Sequence, residues 1–330
     1  MRAVLVRDWT SADRLELSDV PPPTPGPHEL LIRVGAAAVS RALSLLIAGK
    51  YQRRPPLPFI PGNTVAGEVV AVGEGVSRFA PGARVVAAIE HGGLAEFAVA
   101  HEATSYAIPE SLDAARATAF NTAYNSTLAA LVWPRLLDVQ PGQTLLVHGA
   151  GGGVGSAACE IGRALGATVI ATAGTEPKRA FALERGAAHV IAPEAATLKE
   201  RVLALTDGAG VQAVLDPVGG ALFRESLRCL SPEGRICPIG FASGAIPDVP
   251  ANLLLVKNIS VVGLYMGFYK IDDRDAQAPR VQALFDRLGA MFESGEVRPR
   301  LAARFPLEQV REAFRAVLDR AHLGHVAVEP

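Results

Sequence analysis

TLLVHGAGGGVGSAACEIGRALGATVIATAG, residues 144–174, reads as strand, glycine turn, helix and second strand. Leu145, Leu146 and Val147 form a short apolar run of the kind that a strand buried on both faces requires. Val154, Ala158, Ile161 and Leu165 then recur at helical spacing, and Gly166 stands where a left-handed C-terminal cap belongs. Val169 to Thr172 supplies the next β-prone run, which closes a βαβ unit. The turn is Ala150-Gly151-Gly152-Gly153-Val154-Gly155, an A-x-G-x-x-G form of the dinucleotide fingerprint. Gly152 lets the backbone approach a pyrophosphate and Gly155 lets helix and strand pack closely. The helix N-terminus offers unpaired N–H groups and the positive end of its dipole.

The acidic residue that holds a ribose 2′-hydroxyl at the end of the second strand is missing. The chain reads Ala173-Gly174-Thr175-Glu176-Pro177-Lys178-Arg179 there. Glu176 lies past the strand and beside a helix-starting proline, which suits a first-turn dipole residue. Small residues followed by two cations suit a 2′-phosphate, with Gly174, Thr175 and Lys178 as its neighbours and NADP(H) as the cofactor. A solvated helix face is the other reading of Lys178 and Arg179.

The 330 residues leave room for two domains, and 49% hydrophobic with 20% charged content is ordinary globular composition. A net charge of −1, from 32 basic and 33 acidic residues, carries no basic surplus for nucleic acid or an anionic membrane. Cys159, Cys229 and Cys237 sit in apolar runs, as reduced thiols of a core do, and the cytoplasm is the expected compartment. No run approaches the length of a membrane span, and the N-terminus lacks the pattern of a cleaved leader.

Residues 1 to about 120 are short β-prone runs punctuated by Gly and Pro, and Pro21–Pro27 reads as a stiff surface loop. One helix interrupts them, with Ser40 as N-cap and Gly49 after its end, and it delivers Lys50-Tyr51-Gln52. Helices and strands alternate from about residue 121, and six strands with helices between them make a doubly wound parallel sheet. Ligands of such sheets bind at the carboxyl ends of the strands. The cofactor-facing loops are therefore Asp216–Gly220, Gly240-Phe241-Ala242 and Leu264–Gly267, with Leu264 and Tyr265 in the last. Helices are expected near Val281–Phe292 and Leu307–Leu318, and a final strand at His325–Val328.

Several segments together resemble the zinc-free quinone oxidoreductase branch of the medium-chain dehydrogenase/reductases. They are Gly49-Lys50-Tyr51-Gln52 with Pro56–Gly62, Ala66–Gly73, Pro141–Gly155, Asp216–Gly220 and Lys257–Gly263. The resemblance implies an α/β chain with a GroES-like β domain at 1–122, an inserted Rossmann NADP-binding domain at 123–262, and a segment 263–330 that completes the first domain. It implies NADPH and substrate in the cleft between them, Tyr51 and Ser40 on the substrate side, and Ser126 near the nicotinamide. Relatives commonly carry Asn and Asp where this chain has Ser40 and Leu43. Leu43 with Leu46 and Ile47 reads as a packed apolar stripe.

The leading function is zinc-independent reduction by NADPH of a quinone or an α,β-unsaturated carbonyl. An enoyl-thioester reductase is a second enzyme reading, and a cofactor-binding structural or sensor protein is one from another class. No metal is expected, because no cysteine precedes Cys159 and Gly62-Asn63-Thr64 stands where zinc-dependent relatives carry Gly-His-Glu. His91 and His101 lack thiolate partners nearby in sequence and are expected on the surface or in loops. The last strand of the sheet leaves an edge, for which a homodimer is the expected cover.

Overall fold

A computed structural model describes residues 1–319 and 322–330. The chain divides into two units, one formed by Met1–Thr122, Gly267–Glu293 and Pro299–Pro330, the other by Ala123–Met266 and Ser294–Arg298.

The second unit holds a six-stranded parallel sheet in the order His189–Ile191, Thr168–Thr172, Thr144–Val147, Val211–Asp216, Leu230–Pro238, Ser260–Val261. This is the doubly wound Rossmann order, with the glycine turn leaving a central strand where the winding reverses. Leu145, Leu146 and Val147 are all buried, as a strand covered on both faces must be. The helix that follows is Gly153–Ala164, with Gly152 as N-cap and Gly166 at a positive φ beyond its end. The last strand is only Ser260–Val261, shorter than the expected Ile259–Gly263. Helix Ala251–Lys257 runs up to it, with Asn258 in the left-handed conformation between them.

In the first unit Glu29–Val39 pairs antiparallel with Thr64–Val72, Phe97–His101 and His325–Glu329. Leu301–Pro306, Arg84–Ala88 and Ser105–Ala107 extend the sheet at its two sides. Leu30, Ile32, Val65 and Val85 on its strands, with Phe314 from the C-terminal helix, lie in one buried cluster. Gly267–Glu293 and Pro299–Pro330 belong to this β unit, in a GroES-like fold, whereas residues 263–266 and Ser294–Arg298 fall in the other. Residues 21–27 form no helix or strand between Leu17–Asp19 and Glu29–Val39.

Two helices differ from expectation. Arg274–Glu293 begins seven residues before Val281 and carries Pro279 inside. The proline removes one backbone donor, and the helix continues because Val281, Leu284, Phe285 and Leu288 bury a face. The expected helix at Leu307 opens as a single 3-10 turn, Leu307–Gln309, and becomes α-helical at Val310. Single π-helical turns occur at Phe120–Tyr124 and Phe268–Asp272, where 3.6-residue periodicity gives no signal.

Candidate active site

The glycine turn is held from beneath. Ala150 N donates to Thr172 O (3.0 Å), His148 N to Leu215 O (3.1 Å) and Gly152 N to Gly149 O (3.0 Å). His148 is buried, with Nδ1 3.1 Å from Thr172 Oγ1 and Nε2 2.7 Å from Ser226 Oγ. Ser226 spends its own hydrogen on Leu222 O (2.7 Å), so the proton on His148 sits on Nε2 and Thr172 donates to Nδ1. Burial lowers the pKa of His148 and keeps it neutral, a polar pin under the turn that the sequence reading missed.

Close approach explains two of the glycines. A Cβ on Gly155 would stand 2.4 Å from Gly149 O, so only glycine fits where helix meets turn. A Cβ on Gly151 would stand 2.8 Å from Lys178 Cγ, so the lysine stem lies across the turn at that point. Arg179 is engaged by Glu176 (2.7 Å), the first residue of the helix Glu176–Glu184. Among the described residues no acid pairs with Lys178. The first-turn N–H groups of Gly153, Val154 and Gly155 have no intrahelical acceptor. A dinucleotide diphosphate fits this cradle of amides and missing side chains, with the stem of Lys178 at its rim.

The other strand-end loops converge within the same unit. Ala242 N donates to Pro217 O (3.0 Å) and Ser243 N to Val218 O (2.9 Å), which joins the Asp216–Gly220 loop to the one after Pro238. A Cβ on Gly149 would meet Val218 at 3.2 Å, so the glycine turn adjoins both. Asp216 is buried. Its Oδ1 accepts from Val218 N (2.7 Å) and Gly219 N (2.9 Å), which shapes the loop. Gly240 backs on Pro217, while Phe241 and Tyr265 are exposed. Ser126 Oγ donates to Ala123 O (3.2 Å) in the first turn of helix Asn125–Val132.

A buried carboxylate stands behind this set. Glu160, on the helix of the glycine turn, accepts from Tyr124 Oη (2.6 Å), Arg185 (2.8 Å) and Arg298 N (3.1 Å). Burial raises its pKa even so, and raises that of Tyr124 well above the ordinary phenol value. Nothing in the sequence reading singled out Glu160, whose only signal is an acid between the apolar Cys159 and Ile161.

In the other unit, Ser40 caps helix Arg41–Ile47 and its Oγ accepts from Leu43 N (3.2 Å). Leu43, Leu46 and Ile47 are buried in the β-unit core, and Tyr51, partly buried, packs against the same cluster. The seven helical residues separate the backbone of Ser40 from the segment of Tyr51 by roughly 10 Å. Arg53 fastens the loop after Tyr51 by ion pairs to Glu90 (2.7 Å) and to Asp272. His91 is exposed and packs edge-on against Phe59, and His101 ends a strand with Nδ1 accepting from Ala103 N (3.1 Å).

Burial pushes each of the three thiols up to about 12, which makes them inert packing groups. Among the described residues no group of three His, Cys, Asp or Glu is arranged to hold a metal ion. None of their helices is long and apolar enough to cross a membrane.

Two family models match the chain, an alcohol dehydrogenase GroES-like domain at residues 26–110 and a zinc-binding dehydrogenase domain at 153–282. The chain is 37% identical over 306 residues to a quinone oxidoreductase-like protein 2 homolog of Nematostella vectensis, covering 92% of this chain and 82% of that one. It is 32% identical over 320 residues to the quinone oxidoreductase of Homo sapiens, covering 96% and 94%. Its structure superposes with a TM-score of 0.90 on Escherichia coli quinone oxidoreductase complexed with NADPH, at 26% identity and over 100% of both chains. The chain therefore belongs to the quinone oxidoreductase branch of the medium-chain dehydrogenase/reductase superfamily.

Proposed function

We propose that this protein is an NADPH-dependent, zinc-independent reductase of quinones or α,β-unsaturated carbonyls. The observation that carries the reading is the stem of Lys178 across Gly151, beside a strand end without the acid that would hold a 2′-hydroxyl. NADPH in the structure of the E. coli relative and the names of the curated relatives support it. Ala150 to Gly155 would hold the diphosphate. Gly174, Thr175 and Lys178 would hold the 2′-phosphate, while Ser126, Asp216, Gly240, Phe241, Leu264 and Tyr265 would border the rest of the nucleotide.

Bound NADPH supplies a hydride. When a hydride reaches the β-carbon of an enone the carbonyl becomes an enolate, so the rate depends on donors already aimed at that oxygen. Tyr51 is the donor in this reading: a phenol hydroxyl can donate a hydrogen bond, and pass on its proton, without a metal. Ser40 has its Oγ lone pair committed to Leu43 N, and its hydroxyl hydrogen is what it can add.

The working form is read as a cytoplasmic homodimer. Among the described residues Ser260–Val261 ends the parallel sheet with one side unpaired, and Ile246, Leu255 and Val256 nearby in the chain are exposed. Purified protein should consume NADPH with quinones and enones in preference to enoyl thioesters. Consumption with enoyl thioesters alone would replace the reading by the thioester reductase, and none with any acceptor would replace it by a binding protein.

A further inference from the structure

Lys270 is a buried cation, and the acids close to it in the chain are engaged elsewhere. It sits in the π-helical turn Phe268–Asp272, and its ammonium donates to Asn121 Oδ1 and, at 3.4 Å, to Asn121 O. Asn121 in turn donates to Thr64 Oγ1 (2.7 Å), so the chain of partners ends on neutral groups. The ring of Phe285 lies 5.5 Å from the ammonium. Glu90 and Asp272 pair with Arg53, Asp275 pairs with Arg274, and Asp273 accepts from Gln277. Among the described residues no acid pairs with Lys270. Isolated ammonium in a low-dielectric interior is costly, and the usual solutions are a counter-ion or loss of the proton.

The β unit also carries a groove of about 610 Å3, within the roughly 300–1,000 Å3 of small-molecule sites. Phe59, Ile60 and Ile89 give it an apolar side, and His101, Lys270 and Arg274 line its other end. Two carboxylates also reach it, but Glu29 is held by Gly26 N (2.8 Å) and Glu90 by Arg53. We propose that this groove binds a carboxylate carried on an apolar body, with Lys270 as its counter-ion and Arg274 beside it. The ligand is recognised by one charge and a hydrophobic length, as in a medium-chain fatty acid or an acidic substrate of the same shape. Burial lowers the amine to about 7, so at pH 8 it is largely neutral and an arriving anion would draw a proton onto it.

The test is calorimetric titration of the whole protein with decanoate and with decanol, without NADPH or turnover, so its outcome is independent of the proposed reaction. Decanoate is expected to bind roughly ten- to a hundredfold tighter than decanol, with that preference lost in Lys270→Met. Equal binding of the two, no binding of decanoate at millimolar concentration, or a preference that survives in Lys270→Met would overturn the assignment. A second measurement needs no variant: decanoate binding should take up protons at pH 8, approaching one per site, and almost none at pH 6. Absence of uptake at pH 8 would equally remove Lys270 from the site. Competition of decanoate against a turned-over enone would assign the carboxylate to the substrate, and inhibition independent of enone concentration would assign it to a separate effector.

Discussion

The aliphatic stem of Lys178 crosses the glycine turn directly over Gly151, with Cγ 2.8 Å from where a Cβ on that glycine would stand. In the proposed reading the 2′-phosphate of the cofactor is the partner of this cation. Lys178→Ala is expected to weaken NADPH binding roughly ten- to a hundredfold, the size of one charge-assisted hydrogen bond, and to leave NADH binding unchanged. Fluorescence titration with both nucleotides checks it, and equal losses would make Lys178 a support of the fold.

Two glycines of the same turn should fail in different ways. Gly155→Ala drives a methyl to 2.4 Å from a backbone oxygen and is expected to cost about 1–3 kcal/mol of unfolding free energy in urea. Gly151→Ala meets a flexible side chain instead, so it should keep the stability of the parent while displacing Lys178 and weakening NADPH. Identical unfolding midpoints for the two variants would contradict this.

The buried histidines make the fold sensitive to acid. His325 Nε2 lies 2.8 Å from Thr118 Oγ1, which gives its hydrogen to Ala115 O (2.7 Å), so His325 is the donor and stays neutral. Burial takes its pKa down to about 4 from an ordinary 6.5. Between those values the unfolded chain binds the extra proton, so stability rises with pH from 4 to 6.5 and is lost as pH falls through that window. The contribution is on the order of 3 kcal/mol. Unfolding at pH 6.5 and 5 should show a fall in stability that is smaller in His325→Gln than in the parent. An unchanged fall would assign it to other groups, such as His148, which burial lowers in the same direction.

How much of this could be read beforehand depended on how far apart the partners lie in the chain. The βαβ unit at 144–174 was legible because its period, turn and cap are all local, and Ser40 as a helix cap was legible for the same reason. The Glu160 cluster was not, since it joins Tyr124, Arg185 and Arg298, residues 36, 25 and 138 positions away. In the sequence Lys270 is one charge close to Asp272, Asp273, Arg274 and Asp275, and only the fold brings it against Asn121 from 149 residues upstream. The start of helix Arg274–Glu293 was hidden by Pro279, a local helix breaker overruled by burial of the face that follows it.

For Tyr51→Phe, kcat/KM with an enone is expected to fall by roughly 2–4 kcal/mol of barrier while NADPH affinity holds. Steady-state rates and a binding titration decide it. A change of less than about threefold in kcat/KM would leave Tyr51 as a packing residue beside the buried cluster that it already touches.

The central claim, hydride delivery from NADPH to a carbon acceptor, is met most directly by isotope transfer. With NADPH carrying deuterium at both C4 positions and cyclohexenone as acceptor, the account predicts cyclohexanone with one deuterium at the β-carbon, formed at equal rates before and after chelation of metals. Product without deuterium, or no product from cyclohexenone or from any quinone, would contradict it.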